Sequence, residues 1–319
     1  MRRGTGAIAF GLVVLAMIAV IGVAVLRVTD QLGLGPDGDC NVEVDAHEVE
    51  LNREQAENAT LIAAIAIERA LPARAVSIAL ATAYQESKLE NIEHGDRDSI
   101  GLFQQRPSQG WGTEEQILDP VYSTNAFYDA LVKVDGYEGM EITDAAQEVQ
   151  RSAFPRAYAD HEQDARALAS ALTGYSQAAF SCDLSGGAPT ADADLRPSGL
   201  TPRANQVRLD LLERFGTLSL GGFQRGGVST GHMEGSAHYD GRAIDIFFRP
   251  ISEQSKVDGW AVAHYLVGNA SRLDIRTVIY DGRIWRAGQD GWRDYNAPDG
   301  PGDPEILEHR DHVHVDVFR

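Results

Sequence analysis

Ser236-Ala237-His238-Tyr239-Asp240-Gly241-Arg242-Ala243-Ile244-Asp245 is the stretch from which the C-terminal part of the chain is read. It sets a histidine and an aspartate seven positions apart, with a glycine between them. Near the end the chain reads His309-Arg310-Asp311-His312-Val313-His314. Imidazole and carboxylate are the usual ligands of a catalytic zinc, and a third ligand completes a site that keeps one position open. His238, Asp245 and one terminal histidine supply such a set.

The spacing fits strands. The apolar run from Ala243 to Phe248 predicts one, with Ala243, Asp245 and Phe247 on one face. In the last segment His312, His314 and Asp316 share a face, and Val313, Val315 and Val317 share the other. If the two strands are neighbours, Asp245 and His314 meet over the sheet. His238 precedes the first strand on a loop that Gly241 lets fold back.

Both motifs, SxHxxGxAxD and a terminal HxH, stand here unbroken. The pairing resembles the metallopeptidase superfamily of zinc D-alanyl-D-alanine carboxypeptidases, murein endopeptidases and hedgehog-type domains, over residues 200–319. The resemblance implies an α+β zinc peptidase-like fold with an antiparallel sheet. It implies His238, Asp245 and His314 as zinc ligands, and His309 and His312 as active-site histidines that do not bind the metal. Some members use a glutamate base three or six residues before the last ligand. Those positions hold Asp311 and Glu308, so the base stays open among His309, His312, Glu308 and Asp311, with strand parity favouring His312, and Glu308 if the strand starts early, over Asp311. Arg225 is the candidate for the arginine that holds substrate upstream of the first histidine.

The chain has 319 residues, enough for two domains with connectors. A net charge of −19 argues against nucleic acid as a partner. Arg2 and Arg3 precede an uncharged aliphatic run, Ala7 to Leu26, long enough to cross a bilayer as a helix. That predicts a cytoplasmic tail (1–6), a single-pass transmembrane anchor (7–26) and an exported remainder at the cell membrane. A cleaved signal peptide is the rival reading. Residues 27–44 read as a linker. Cys40 and Cys182 are the two cysteines, and in an exported chain they are expected to form a disulfide.

From His47 the pattern turns helical, with one helix around Leu61 to Ile67 and a second from Ala75 to Ala83 running into Tyr84-Gln85-Glu86-Ser87. Later helices are expected over Val121 to Val134, Ala145 to Ser152 and His161 to Ala178, giving an all-α domain over 45–183. A glutamate closing a buried helix is placed for partial desolvation, which keeps it protonated as a general acid. Downstream stands Asp98-Ser99-Ile100-Gly101-Leu102-Phe103-Gln104-Gln105. The Glu-Ser pair and this segment resemble the lysozyme-like lytic transglycosylases. The resemblance implies Glu86 as the catalytic acid, with Ser99, Gly101 and Gln104 lining a sugar cleft. The family's Ala-Tyr-Asn motif is not present as such, and Tyr175 is the candidate to stand in for its tyrosine. A hydrolase needs a second carboxylate, for which Asp96 and Asp98 are available; a transglycosylase does not. Trp111 is either a sugar platform or a loop anchor.

Residues 184–199 read as an interdomain linker. Beyond them helices are expected over Pro202 to Phe215 and Trp260 to Leu273. Strands are expected over Arg276 to Tyr280 and Arg283 to Trp285, turned by Asp281-Gly282. The two resemblances point at one polymer, peptidoglycan. The expectation is a membrane-anchored cell-wall hydrolase that uses zinc. The alternative is a wall-binding or assembly protein with inactive sites.

Overall fold

The structure is a computed structural model that describes residues 40–152, 154, 156–184, 186–297 and 302–319. Strands β1 (Cys40–Val44) and β2 (His47–Leu51) open it as a hairpin. Cys40, Val42, Val49 and Leu51 are buried, while Glu43, Glu48 and Glu50 face out, the alternation of a half-buried strand pair. Asp45 and Ala46 both hold positive φ (51° and 61°), the backbone of a tight hairpin turn.

Helix α1 (Arg53–Glu68) starts at a capping box between Asn52 and Gln55. Helix α2 (Ala73–Ser87) follows Pro72 and is buried along most of its length by small residues such as Ala75, Ala79 and Ala83. Helix α3 (Glu114–Ile117) packs on α4 (Pro120–Leu131), and α4, α5 (Ile142–Gln150) and α6 (Glu162–Leu172) pack on α2. Strand β3 (Phe180–Cys182) then returns to pair antiparallel with β1, giving the sheet order β2-β1-β3. Cys40 faces Cys182 in that register, and the two are disulfide-bonded.

This corrects the expected fold class. The middle part is not all-α: a three-stranded antiparallel sheet opens and closes it, and the described chain is mixed α/β with antiparallel sheets. The period-two alternation of 40–51 is interleaved with glutamates, which blurs a strand signal into a linker followed by a helix. Among the described residues no helix is long and apolar enough to cross a membrane. The segment 7–26, expected as an anchor, lies outside the described residues.

The C-terminal part comprises α7 (Pro202–Phe215), β4 (Ser219–Gly221), β5 (Ala243–Phe247), α8 (Glu253–Gly268), β6 (Ile275–Tyr280), β7 (Arg283–Arg286), β8 (Arg293–Asp294), α9 (Pro304–Leu307) and β9 (His312–Val317). Its antiparallel sheet has the order β4-β5-β9-β6-β7-β8. Ile244, Ile246, Val313 and Val315 form the core face, with α7 and α8 packed on the sheet. Asp281 and Gly282, both at positive φ, turn β6 into β7.

Residues Asp39–Arg319 form one compact unit. Helix α8 packs on α1, α6 and β3 as well as on its own sheet. The contact is specific. Trp285 Nε1 donates to the Cys182 carbonyl (3.1 Å), Trp292 Nε1 to the Phe180 carbonyl (2.8 Å) and Asn269 Nδ2 to Thr60 Oγ1 (3.1 Å). Helix α6 stops at Leu172 rather than running to Ala178, because the chain turns at Gly174. There φ is +84°, and a Cβ would stand 1.9 Å from the Val257 carbonyl oxygen of α8.

The disulfide spans a sequence separation of 142. In the chain-entropy view, closing a loop of that length stabilises by about 5 kcal/mol. The pair Cys40→Ala and Cys182→Ala is therefore expected to lower the melting temperature by about 10 °C or more. A thermal scan showing both forms melting together would place the stability of the hairpin elsewhere.

Candidate functional site

Strands β5 and β9 pair Asp245 with His314, Phe247 with His312 and Ala243 with Asp316. Side chains alternate across a strand, so Asp245, His312, His314 and Asp316 all stand on the face opposite the core. His238 enters from the turn before β5, closed by the Gly241 amide on the His238 carbonyl (3.0 Å).

The result is a small triangle of donor atoms. His238 Nε2 is 3.1 Å from His314 Nδ1 and 3.2 Å from Asp245 Oδ1, and His314 Nδ1 is 3.2 Å from the same oxygen. Ligands about 2.0–2.1 Å from a tetrahedral ion stand about 3.4 Å from each other. The triangle is within a few tenths of an ångström of that spacing. The residues thus fit a metal ion in donor chemistry and in geometry. A second grouping shares two of these residues: donor atoms of His232, His238 and Asp245 lie within 4.8 Å of one another.

The surroundings orient the donors. His238 Nδ1–H donates to the Gly222 carbonyl (2.7 Å), which leaves Nε2 free to face the site. That approach requires glycine: a Cβ at Gly222 would lie 2.4 Å from the His238 ring and 2.8 Å from Asp245 Oδ2. On its far side His314 Nε2 faces Asp316 Oδ2 (3.6 Å), and Asp316 takes a hydrogen bond from Arg276 Nε (2.7 Å). Burial opposes charge on His314, yet Asp245 and Asp316 hold its pKa up at about 9.

His312 lies beside the triangle, with Nε2 3.9 Å from Asp245 Oδ1. Its Nδ1–H donates to Asp311 Oδ1 (2.7 Å), and Asp311 is in turn held by Arg249. Asp311 is thereby committed to orienting His312. Glu308 is paired with Arg310 (2.6 Å). The His309 ring lies 4.6 Å from that of His312 and 4.9 Å from that of Tyr295. Burial, then the neighbouring His314 and His312, push its pKa down to about 3. His238, Asp245, Tyr295, His309, His312 and His314 line an open pocket of about 540 Å³. Arg249 and Arg276 are in its wall, whereas Arg225 is exposed on the preceding loop and does not line it.

The second candidate site is at the end of α2. Ser87 Oγ donates to the Leu102 carbonyl (2.7 Å) and fastens the helix end to the 99–105 segment. Ser99 is buried there, Gly101 at φ +76° leaves room for Ile117 of α3, and Gln104 Nε2 donates to the His94 and Gly101 carbonyls. Burial raises the pKa of Glu86, against hydrogen bonds from Tyr158 and Gln150 that lower it. Tyr158 Oη donates to Glu86 Oε1 at 2.7 Å. Gln150 also lines an open cleft of about 910 Å³ with Gln109, Trp111, Lys133 and Arg151.

Tyr175 is 63% exposed, and Tyr158 rather than Tyr175 is the tyrosine on Glu86. The signal was present in Ala157-Tyr158, the first two positions of Ala-Tyr-Asn. Asp98 is committed to the Ser108 amide (2.9 Å) and to Arg106 (2.6 Å), which hold its carboxyl well below the usual range. Asp96 is exposed. His232, Gln150, Arg249 and Arg276 had no sequence signal, because their places depend on which loops and strands meet; Asp316 was read on the face of His312 and His314 but without a role.

Among known families, the model described as "VldE, C-terminal domain" matches residues 196–304. The match covers His238 and Asp245 and stops short of His309, His312 and His314. Its description does not name a zinc peptidase. No curated protein matches the chain.

Proposed function

We propose that this chain is a cell-wall hydrolase that acts on peptidoglycan outside the cytoplasm, with a zinc-dependent stem-peptide peptidase at β5 and β9 and a glycan-cleaving site at Glu86. The observation that carries it is the buried His238–Asp245–His314 triangle with its ordered supports. The disulfide fits an oxidising compartment.

A zinc ion here would be held by His238, Asp245 and His314, and would supply Lewis acidity for a scissile carbonyl and lower the pKa of a water to about 7. His312, with Nδ1–H committed to Asp311, presents Nε2 to the site. That nitrogen takes the proton of the attacking water and returns it to the leaving amine. His309 packs on His312 as a neutral ring. Arg249, half exposed at the pocket wall, is available for a substrate carboxylate.

At the other site burial raises the pKa of Glu86, which favours its role as the acid that donates to the glycosidic oxygen. Tyr158 and Gln150 steady the carboxylate that forms. With Asp98 tied to Arg106 and Ser108, the sugar's own hydroxyl is the preferred nucleophile, which is transglycosylase chemistry.

The test is digestion of purified peptidoglycan with the protein, products identified by mass spectrometry, with and without a chelator. Peptide cuts are expected to vanish with chelator, and cuts leaving anhydro-sugar ends are expected to persist. Intact stems and strands in both arms would make the chain a wall-binding protein.

A further inference from the structure

Two arginines in the wall of the metal pocket are built in the same way. Arg249 Nε donates to Asp311 Oδ2, and Asp311 Oδ1 takes the hydrogen bond of His312 Nδ1 (2.7 Å). Arg276 Nε donates to Asp316 Oδ1 (2.7 Å), and Asp316 Oδ2 faces His314 Nε2 (3.6 Å). Each arginine thus steadies the carboxylate behind one of the two histidines of β9. Neither is used up by that task. Nε is one of five N–H donors on a planar fork. Among the described residues neither guanidinium has a hydrogen-bond partner beyond its own aspartate. Their side chains are 51% and 44% exposed, and both line the pocket. The Phe247 ring carries Arg249 with its centroid 4.3 Å from the guanidinium carbon, which steadies the plane of the fork. An arginine held along its Nε side keeps the edge made by its two Nη groups, and that edge grips a carboxylate bidentately.

Their places differ. Asp311 stands just before β9 and Asp316 near its end, so the arginines flank the donor triangle from opposite ends of the strand. The five steps from Asp311 to Asp316 span about 17 Å of extended chain, which is the reach of about five residues of bound peptide. The other charged groups of the lining leave these two cations facing the pocket. Asp245 belongs to the triangle, Asp316 is paired with Arg276, and Glu234 is exposed on the preceding loop. The chain as a whole has a net charge of −19, so this wall reverses the sign of the molecule. His312 sets the direction: its Nε2 returns a proton to the leaving amine. The leaving residue therefore lies at the His312 end, beside Arg249, and the acyl part at the Asp316 end, beside Arg276.

We propose that Arg249 and Arg276 are paired carboxylate clamps, and that the pocket takes an acidic peptide with a free carboxylate on each side of the scissile bond. Arg249 holds the carboxylate of the leaving residue, and Arg276 holds one on the acyl part. The assignment of the two ends rests on the metal-peptidase reading above; the clamps themselves do not need the metal.

Each arginine also anchors an aspartate, so activity alone does not separate holding substrate from positioning a histidine. The experiment is calorimetric binding to the metal-free protein, in which nothing is cut. The probes are four synthetic five-residue stem peptides: terminal carboxylate and upstream acidic side chain both free, either one amidated, or both amidated. In wild type each amidation is expected to weaken binding about tenfold. Arg249→Gln is expected to bind the terminally free and terminally amidated peptides alike while still discriminating the acidic side chain, and Arg276→Gln the reverse. Equal binding of all four peptides by wild type would overturn the clamps. A loss by the same factor for all four in either variant would overturn them too, by making that arginine a positioning residue only. The same peptides are then given to the zinc-loaded protein, where kcat/KM is expected to follow the order of binding. The expected binding pattern with no peptide cut would leave the clamps standing and overturn the peptidase reading. Cleavage indifferent to either amidation would overturn the clamps and leave the peptidase standing.

Discussion

Replacement of His238 or His314 by alanine is expected to strip the metal from the protein and abolish peptide cleavage. Each contributes one of three donor atoms spaced 3.1–3.2 Å apart. Two ligands rarely retain zinc against dilution, and the catalytic group leaves with it. The neighbours should behave differently. His312→Ala is expected to keep the metal and lose a factor on the order of 10²–10⁴ in rate, the usual weight of general acid–base catalysis. Asp316→Ala removes the support behind His314 rather than a donor, so metal affinity is expected to fall about 10–100-fold. Metal analysis of the four variants beside a stem-peptide assay separates these roles. Retention of stoichiometric zinc in His314→Ala, with loss in His312→Ala, would move the ligand to the other histidine of β9.

Glu86→Gln is expected to eliminate glycan cleavage while leaving the fold intact. The amide keeps the shape and the hydrogen bond from Tyr158 but has no proton to give. Wild-type cleavage is expected to fall as pH rises through the pKa of Glu86, which burial raises above the ordinary carboxylate value. The sign for stability is the same. A raised folded-state pKa contributes stability at pH below the unfolded value and loses it as pH rises through the folded one. The glutamine variant has no charge to bury, so its stability near neutral pH is expected to match or exceed wild type. Muropeptide release by Glu86→Gln at the wild-type rate would remove Glu86 from the chemistry.

The convergence of Asp245, His312 and His314 was legible because it depends on period two. Once 243–247 and 312–317 are strands, Asp245, His312 and His314 have a fixed face, and neighbouring strands bring them together. Helix α2 was legible from its run of small residues, and with it the place of Glu86. The hairpin at 40–51 was not, since alternating glutamates resemble a solvated connector until a partner strand buries the other face. Arg225 was a poor choice because an upstream arginine's position says nothing about where its loop points; Arg249 and Arg276 reach the pocket from strand ends. Tyr158 and His232 are set by contacts between segments far apart or irregular, which no periodicity encodes.

Helix α8 packs on the β9 sheet and on the helical half, and Asn269 at its end, Trp285 of β7 and Trp292 before β8 hydrogen-bond to that half. Two tethered blades would sweep the polymer independently, with the reach between them set by the tether. Two blades ground from one block cannot. On this molecule the offset between the two candidate sites is a dimension of the protein, and on the proposed reading the wall must present both bonds at that offset for both to be cut in one encounter.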